Sequence, residues 1–302
     1  MNSIDIKKNR VFFNLANGCN KYCQYCYIPE MGYDCKILFS DLSGEDVIAI
    51  IEKNPNIKKG KRGDLFSIAP HAEPFLDEII DKTFDWVGCV SQSMNPIQIA
   101  TKSELTEEIC YKLANVRRYK EQITLFISTS TITYSNIIEP NVTKLDKRLK
   151  SLELLDKYEI PYFLYIKPIL PNITIQDKML YANLMKKYKI KQCVVGVYYS
   201  NEKIDKKLNV NSKEINYETL NLKLPTGDNI NTKPIGLSDV QIMYDFLTEN
   251  TDCLILKSSP CAIANILDSF SPTLTWIRFP ELCVNCSKNC NTLYQEHNNG
   301  NI

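Results

Sequence analysis

The sequence predicts an α/β protein, a partial (β/α)6 TIM-like barrel followed by a small cysteine-rich C-terminal extension. Three observations predict it. Short apolar, β-rich runs alternate with longer segments of helical period, the pattern of βα units around a parallel sheet. Polar clusters follow the ends of these runs, where parallel α/β folds gather their reactive groups. The chain of 302 residues, 44% hydrophobic, is long enough to bury a core of barrel size.

The elements follow in order. VFFNLA (11–16) is the first predicted strand and runs straight into NGCNKYCQYCYIP. A helix over 43–53 comes next, with Ser43 as its cap. DLFSIA (64–69) leads into HAEPF and a helix over 74–84, and PIQIA (96–100) leads into TKS and a helix over 104–116. ITLFIS (123–128) leads into TST and a helix over 143–158 near Thr143. YFLYIKPIL (162–170) precedes a helix over 175–189 near Thr174, and QCVVGVYY (192–199) is the sixth run. Residues 200–237 are polar, rich in lysine and asparagine, and read as an insertion: a solvated connector or a lid over substrate. A seventh run, CLILKSS (253–259), follows the helical GLSDVQIMYDFLTEN, so six or seven units fit an open barrel. Residues 1–250 are assigned to the barrel and 251–302 to the extension.

Composition narrows the function classes. Lys+Arg 36 against Asp+Glu 35 leaves no global field to attract nucleic acid or membrane. MNSIDIKKNR lacks the apolar core of a leader, and no stretch approaches the ~20 apolar residues of a spanning helix, so a cytoplasmic protein without membrane contact is expected. Ten glycines form no phosphate-cradling loop. Twelve cysteines in a reducing compartment point to metal ligands and buried thiols such as Cys35, Cys89, Cys110, Cys193 and Cys253 rather than disulfides.

Two cysteine groups carry the chemistry. Cys19, Cys23 and Cys26 are spaced Cys-x3-Cys-x2-Cys, three ligands where a closed tetrahedral site takes four. Such a loop can hold a cubane [4Fe-4S] cluster and leave one iron open to a small molecule. Cys261 with Cys283, Cys286 and Cys290 supplies four thiolates, suited to a second [4Fe-4S] cluster or to zinc. Iron-sulfur chemistry at the first loop favours the cluster at the second.

With Tyr25 just before its third cysteine, the first loop resembles that of the radical S-adenosylmethionine (SAM) enzymes. HAEPF (71–75), IATKS (99–103), FISTST (126–131) and EPNVTKLDKRLKSLELLDKYEIPYFLYIKPILP (139–171) extend the resemblance, in order, to the spore photoproduct lyase-like branch. The resemblance implies a radical SAM barrel in which SAM ligates the fourth iron. It implies that Glu73 faces the SAM ammonium and Lys102 its carboxylate, both charge-assisted contacts. Ser128 and Ser130 would reach the amino group or ribose, Tyr25 and Tyr27 would wall the adenine, and Arg148 or Glu139 would fix this arrangement. An external donor such as flavodoxin or ferredoxin would reduce the cluster, and the resulting 5'-deoxyadenosyl radical would take hydrogen from a nucleic acid, peptide or metabolite.

Taken alone, Glu73 and Lys102 could be solvated charges, Ser128 and Ser130 strand-end caps, and Arg148 a cation on a helix surface. His71 is a candidate proton donor or a hydrogen-bonded loop histidine; His297 falls in a polar tail and is assigned no role. The loop SIAPHAE (67–73) has no cysteine where the lyases resembled carry their hydrogen donor, so photoproduct lyase activity itself is not expected. The C-terminal cysteine set is likewise a departure from that branch. Outside enzymes, a non-catalytic metal-binding scaffold is the alternative.

Overall fold

A computed structural model of the chain describes residues 3–33, 36–208, 233–235, 237–278, 280–283, 286 and 288–298. Most of the polar insertion, and Cys35, lie outside the described residues. One sheet of eight strands dominates: β1 (Ile4–Lys7), β2 (Arg10–Phe13), β3 (Leu65–Ile68), β4 (Ile97–Thr101), β5 (Ile123–Thr129), β6 (Tyr162–Ile166), β7 (Gln192–Val195) and β8 (Leu254–Leu256). They lie side by side in chain order. β1 is antiparallel to β2 and every later pair is parallel. β1 and β8 are the two ends of this order, so the barrel is open between them. All seven apolar runs are strands; β1, the charged IDIK, is an added hairpin arm that no apolar run announces.

Side chains alternate across each strand, and the two faces do different work. Outward residues such as Phe66, Ile68, Ile99, Leu125, Ile127, Leu164 and Ile166 join the main core, which also holds Val47, Ile51, Trp86 and Leu113 from the surrounding helices. Those helices include α1 (Gly44–Lys53), α2 (Ile80–Val90), α3 (Glu107–Val116), α4 (Leu145–Lys150), α5 (Leu152–Lys157), α6 (Lys178–Lys187) and α7 (Leu237–Asn250). Ser43 caps α1 in a full capping box with Asp46.

Four helices differ from the sequence expectation, the simplest being α3, which starts at Glu107 behind its Thr106 cap rather than at 104. α2 starts at Ile80 rather than 74, because the chain first turns beyond Glu73 and the Pro74 carbonyl accepts from Thr83 Oγ1 at 2.8 Å. The helix over 143–158 is divided at Ser151, whose Oγ accepts the Leu105 N–H at 2.8 Å. Its first cap is Lys144, without a side-chain bond, rather than Thr143. Thr174 is not a helix cap either: its Oγ1 accepts from Leu170 N at 2.7 Å and donates to Ser130 O at 2.6 Å, stitching β6's exit to β5's.

Inside the barrel, Leu65, Phe126, Phe163 and Val194 form an apolar floor, with Phe126 and Phe163 stacked at 5.6 Å. Ala262 and Ile263 of α8 (Ser259–Ile266) pack against that floor and plug it. β8 lies in the sheet and α8 closes its interior, so the barrel runs past residue 250, where the sequence placed the start of the extension. The next inward layer is polar: Ser67, Gln98, Ser128 and Tyr165 line a cavity beneath the cysteine loop. Among the described residues, no helix is long and apolar enough to cross a membrane.

Candidate cofactor site

The cysteine loop leaves β2 through Gly18, whose φ of +100° favours the one residue without a Cβ. Backbone bonds pin it from two sides: Gly18 N–H donates to His71 O at 3.1 Å and Gln24 N–H to Ile138 O at 2.9 Å. Asn141 Nδ2 adds a bond to Asn20 O at 3.2 Å. The loop so held places Cys19, Cys23 and Cys26 on the wall of one cavity of about 290 Å³. Burial pushes the Cys19 thiol up to about 11 and the Cys23 thiol up to about 12, with the neighbouring thiols adding to both. Taking up iron therefore means displacing protons from the cysteines.

The same cavity is lined by Glu73, beyond the exit of β3, and Lys102, at the exit of β4. Glu73 is buried and accepts from Thr101 Oγ1, from Lys102 N at 2.8 Å and from Ser103 Oγ at 3.2 Å. Of roughly four acceptor positions on a carboxylate, three are filled, which leaves capacity for a further donor. Lys102 extends into the cavity with Nζ 5.6 Å from the Tyr25 ring centre. Burial works against its charge, but Cys23, Glu139 and Glu73 outweigh burial and raise its pKa.

Tyr25, Tyr27 and Ser128 also line the cavity, whereas the side chains of Ser130, Arg148 and His71 do not. Tyr25 donates to Glu139 Oε1, which also accepts from Ser130 Oγ at 3.0 Å. Arg148 lies 3.4 Å from Glu139 Oε2 and donates to the Ser128 carbonyl. Arg148 and Glu139 are each 1% exposed, so Arg148 is a buried partner rather than a surface cation, acting on the site through Tyr25 and the β5 end. His71 sits behind the loop, its Nδ1 2.9 Å from Asn17 Oδ1 and its ring 5.9 Å from that of Tyr33. Burial pulls its pKa down to about 4, so the ring is neutral. The geometry gives it loop support rather than a place in the cavity.

At the other end, Cys261, Cys283, Cys286 and Cys290 line one cavity of about 450 Å³. Cys261 sits in the first turn of α8, where Ser258 Oγ accepts its N–H at 3.3 Å and donates to its Sγ at 3.0 Å. Cys290 opens α9 (Cys290–Asn298), whose Tyr294 and His297 pack on Phe270 at 5.2 and 5.6 Å. The donor type in both sets, three thiols in one and four in the other, is the one that holds iron-sulfur clusters. Among the described residues no three cysteine, histidine, aspartate or glutamate side chains are drawn together as a single metal ion would draw them.

The sequence reading missed Arg10, Tyr165, Lys167 and Tyr199, all on the cavity wall. Arg10 enters the barrel from the N-terminal end of β2 and donates from Nε to Ser67 Oγ at 2.9 Å, at the strand end where functional groups are not sought. Lys167, one residue past β6, had a signal: like Glu73 and Lys102 it follows a parallel strand.

The backbone is similar to solved structures of spore photoproduct lyase. One variant aligns at TM-score 0.60 and 11% identity over 84% of this chain and 79% of that one. Another, with bound AdoMet and dinucleoside spore photoproduct, aligns at 0.57 and 12% over 80% and 74%. Streptococcus suis SuiB bound to S-adenosylmethionine aligns at 0.51 and 13% over 86% of this chain and 53% of that one. No family model matches the chain, and no curated protein matches it in sequence. The chain thus has the partial-barrel fold of the radical SAM enzymes, in the form seen in spore photoproduct lyase.

Proposed function

We propose that the protein is a radical SAM enzyme. The observation that carries this reading is the meeting of Cys19, Cys23 and Cys26 with Glu73 and Lys102 on one cavity wall. Bound there, a [4Fe-4S] cluster and SAM would supply reductive cleavage of SAM and, through it, abstraction of hydrogen from substrate. The three cysteines hold the cluster. Lys102 holds the SAM carboxylate, Glu73 uses its remaining acceptor capacity for the ammonium, and Ser128 offers a hydroxyl to the amino group or ribose. Tyr25, fixed by Glu139 and Arg148, and Tyr27 give the adenine an apolar wall. The floor of Phe126 and Phe163, sealed by α8, keeps water from entering beneath the site.

An external one-electron donor, a flavodoxin or ferredoxin, serves the first cluster, and the C-terminal cysteines hold a second. The balanced charge of the chain favours a peptide or small metabolite over duplex nucleic acid as substrate. The test replaces Cys19, Cys23 and Cys26 together by alanine and measures 5'-deoxyadenosine after anaerobic reconstitution and chemical reduction. Loss of product is expected; unchanged production sinks the reading.

A further inference from the structure

A second cavity, of about 110 Å³, lies beside the first and spans the opening of the barrel. Its wall draws on both ends of the sheet: Lys7 of β1 and Arg10 of β2 on one side, Lys257 and Ser258 just past β8 on the other, with Lys167 between them. Among the described residues the lining holds these four cations, several hydroxyls and no aspartate or glutamate. Lys257 is only 9% exposed; its Nζ donates to Gln241 Oε1 at 2.7 Å and sits 4.3 Å from the Tyr244 ring centre. Lys167 Nζ rests 5.6 Å from the ring centres of both Tyr165 and Tyr199. Lys7 and Lys257 each have an acidic neighbour outside the lining, Asp5 at 3.3 Å from Lys7 and Asp245 of α7 beside Lys257. The N-terminus of α8, capped by Ser258, opens on the same space and adds the positive end of a helix dipole.

Grouping cations around a partly buried cavity costs desolvation and mutual repulsion, which a bound anion offsets. The cavity admits several water-sized groups, enough for one phosphate or carboxylate. It shares Arg10, Tyr165, Lys167, Val197 and Tyr199 with the cysteine cavity, so one molecule can reach into both.

We propose that this second cavity binds an oxyanion, the phosphate or carboxylate of the substrate, and so places the substrate's reacting carbon in the adjoining cysteine cavity. The proposal rests on reading that neighbouring cavity as the site of radical formation. Charge-assisted contacts from Lys257 and Lys167 anchor the anion, and the hydroxyl of Thr273 completes its shell.

The test titrates inorganic phosphate and, separately, acetate into the reconstituted full chain at fixed ionic strength, followed by calorimetry. Lys257→Met and Lys7→Met, on opposite walls, are expected to weaken the better anion, Lys257→Met by about tenfold, or ~1.4 kcal/mol. Lys257→Arg should restore binding. Lys102→Met, confined to the cysteine cavity, should retain it. Tighter phosphate binding assigns a phosphate ester, and tighter acetate binding a carboxylate. Equal affinity in the wild type and a Lys257→Met protein of unchanged circular dichroism overturns the proposal, as does loss of binding in Lys102→Met alone or no binding of either anion. Reductive SAM cleavage is measured on the same preparations. Cleavage without anion binding defeats only the oxyanion site, and anion binding without cleavage defeats the radical reading instead.

Discussion

Cys19, Cys23 and Cys26 share their cavity with one carboxylate and four cations, Glu73 against Arg10, Lys21, Lys102 and Lys167. Cys261, Cys283, Cys286 and Cys290 share theirs with a single charged residue, Lys288, among the described residues. The first set lacks one thiol and is surrounded by groups that recognise a zwitterion. The second has four thiols, the number of ligands that a closed tetrahedral site takes. On the proposed reading, this difference in setting, rather than the cysteine spacing alone, would separate a site that binds a reactant from one that holds a group permanently.

The sharpest way to break this contrast is to remove each set in turn and count iron. About eight irons per chain are expected in the wild type and about four in either the triple Cys19/Cys23/Cys26→Ala protein or the quadruple tail variant. Reductive SAM cleavage should vanish in the first and persist in the second. Cleavage that vanishes only with the tail set would reverse the assignment of roles.

The supports of the two sites differ as well. The first is braced by the buried pair Arg148 and Glu139, the second by a helix cap. Arg148→Met leaves the Glu139 carboxylate buried without its cation and should cost about 3–5 kcal/mol in denaturant titration. It should also weaken SAM binding, because Tyr25 donates to that same carboxylate. A loss below about 1 kcal/mol would show that Tyr25 and Ser130 satisfy Glu139 without help from the arginine.

Much of this was legible in the sequence. The seven strands could be read because strands such as β3 and β5, buried along their full length, appear as unbroken apolar runs. Glu73 and Lys102 could be read because they follow such runs. The Arg148 pairing could not, since Glu139 lies nine residues upstream, outside helical spacing, and only the chain's path between α4 and β5 joins them. Nor could the plug formed by α8: the sequence singles out Cys261 in SPCAIANIL, but nothing in it says that Ala262 and Ile263 meet the floor of the barrel. Arg10 was hidden for a similar reason, because register and strand twist, not sequence position, bring it to Ser67.

Behind the first loop, His71 makes its support sensitive to acid. Its folded pKa of about 4 lies below the ordinary value near 6.5, so the unfolded chain takes the proton first. Stability is full above about pH 6.5 and is lost as pH falls toward 4, by roughly 2 kcal/mol between pH 7.5 and 5. His71→Gln should flatten that part of the profile when both proteins are unfolded in denaturant at each pH. In the tail, His297 lies half-buried near the end of α9, with Nδ1 3.3 Å from Arg62 Nη1 and its ring 5.6 Å from that of Phe270.

The smallest expected effect probes the tail support. Ser258 is the N-cap of α8 and bonds both the N–H and the sulfur of Cys261, so Ser258→Ala removes a cap worth about 1 kcal/mol. That cap orients the one tail thiol carried by the barrel plug, while Cys283, Cys286 and Cys290 follow later in the chain. If the four thiols act as a unit, Ser258→Ala should speed release of iron to a chelator from the tail and not from the Cys19, Cys23 and Cys26 loop. The triple-alanine background, in which only tail iron remains, makes that rate directly measurable. An unchanged rate there, alongside the ~1 kcal/mol loss of stability, would mean that α8 is held by its floor contacts and that Cys261 needs no cap to keep its place.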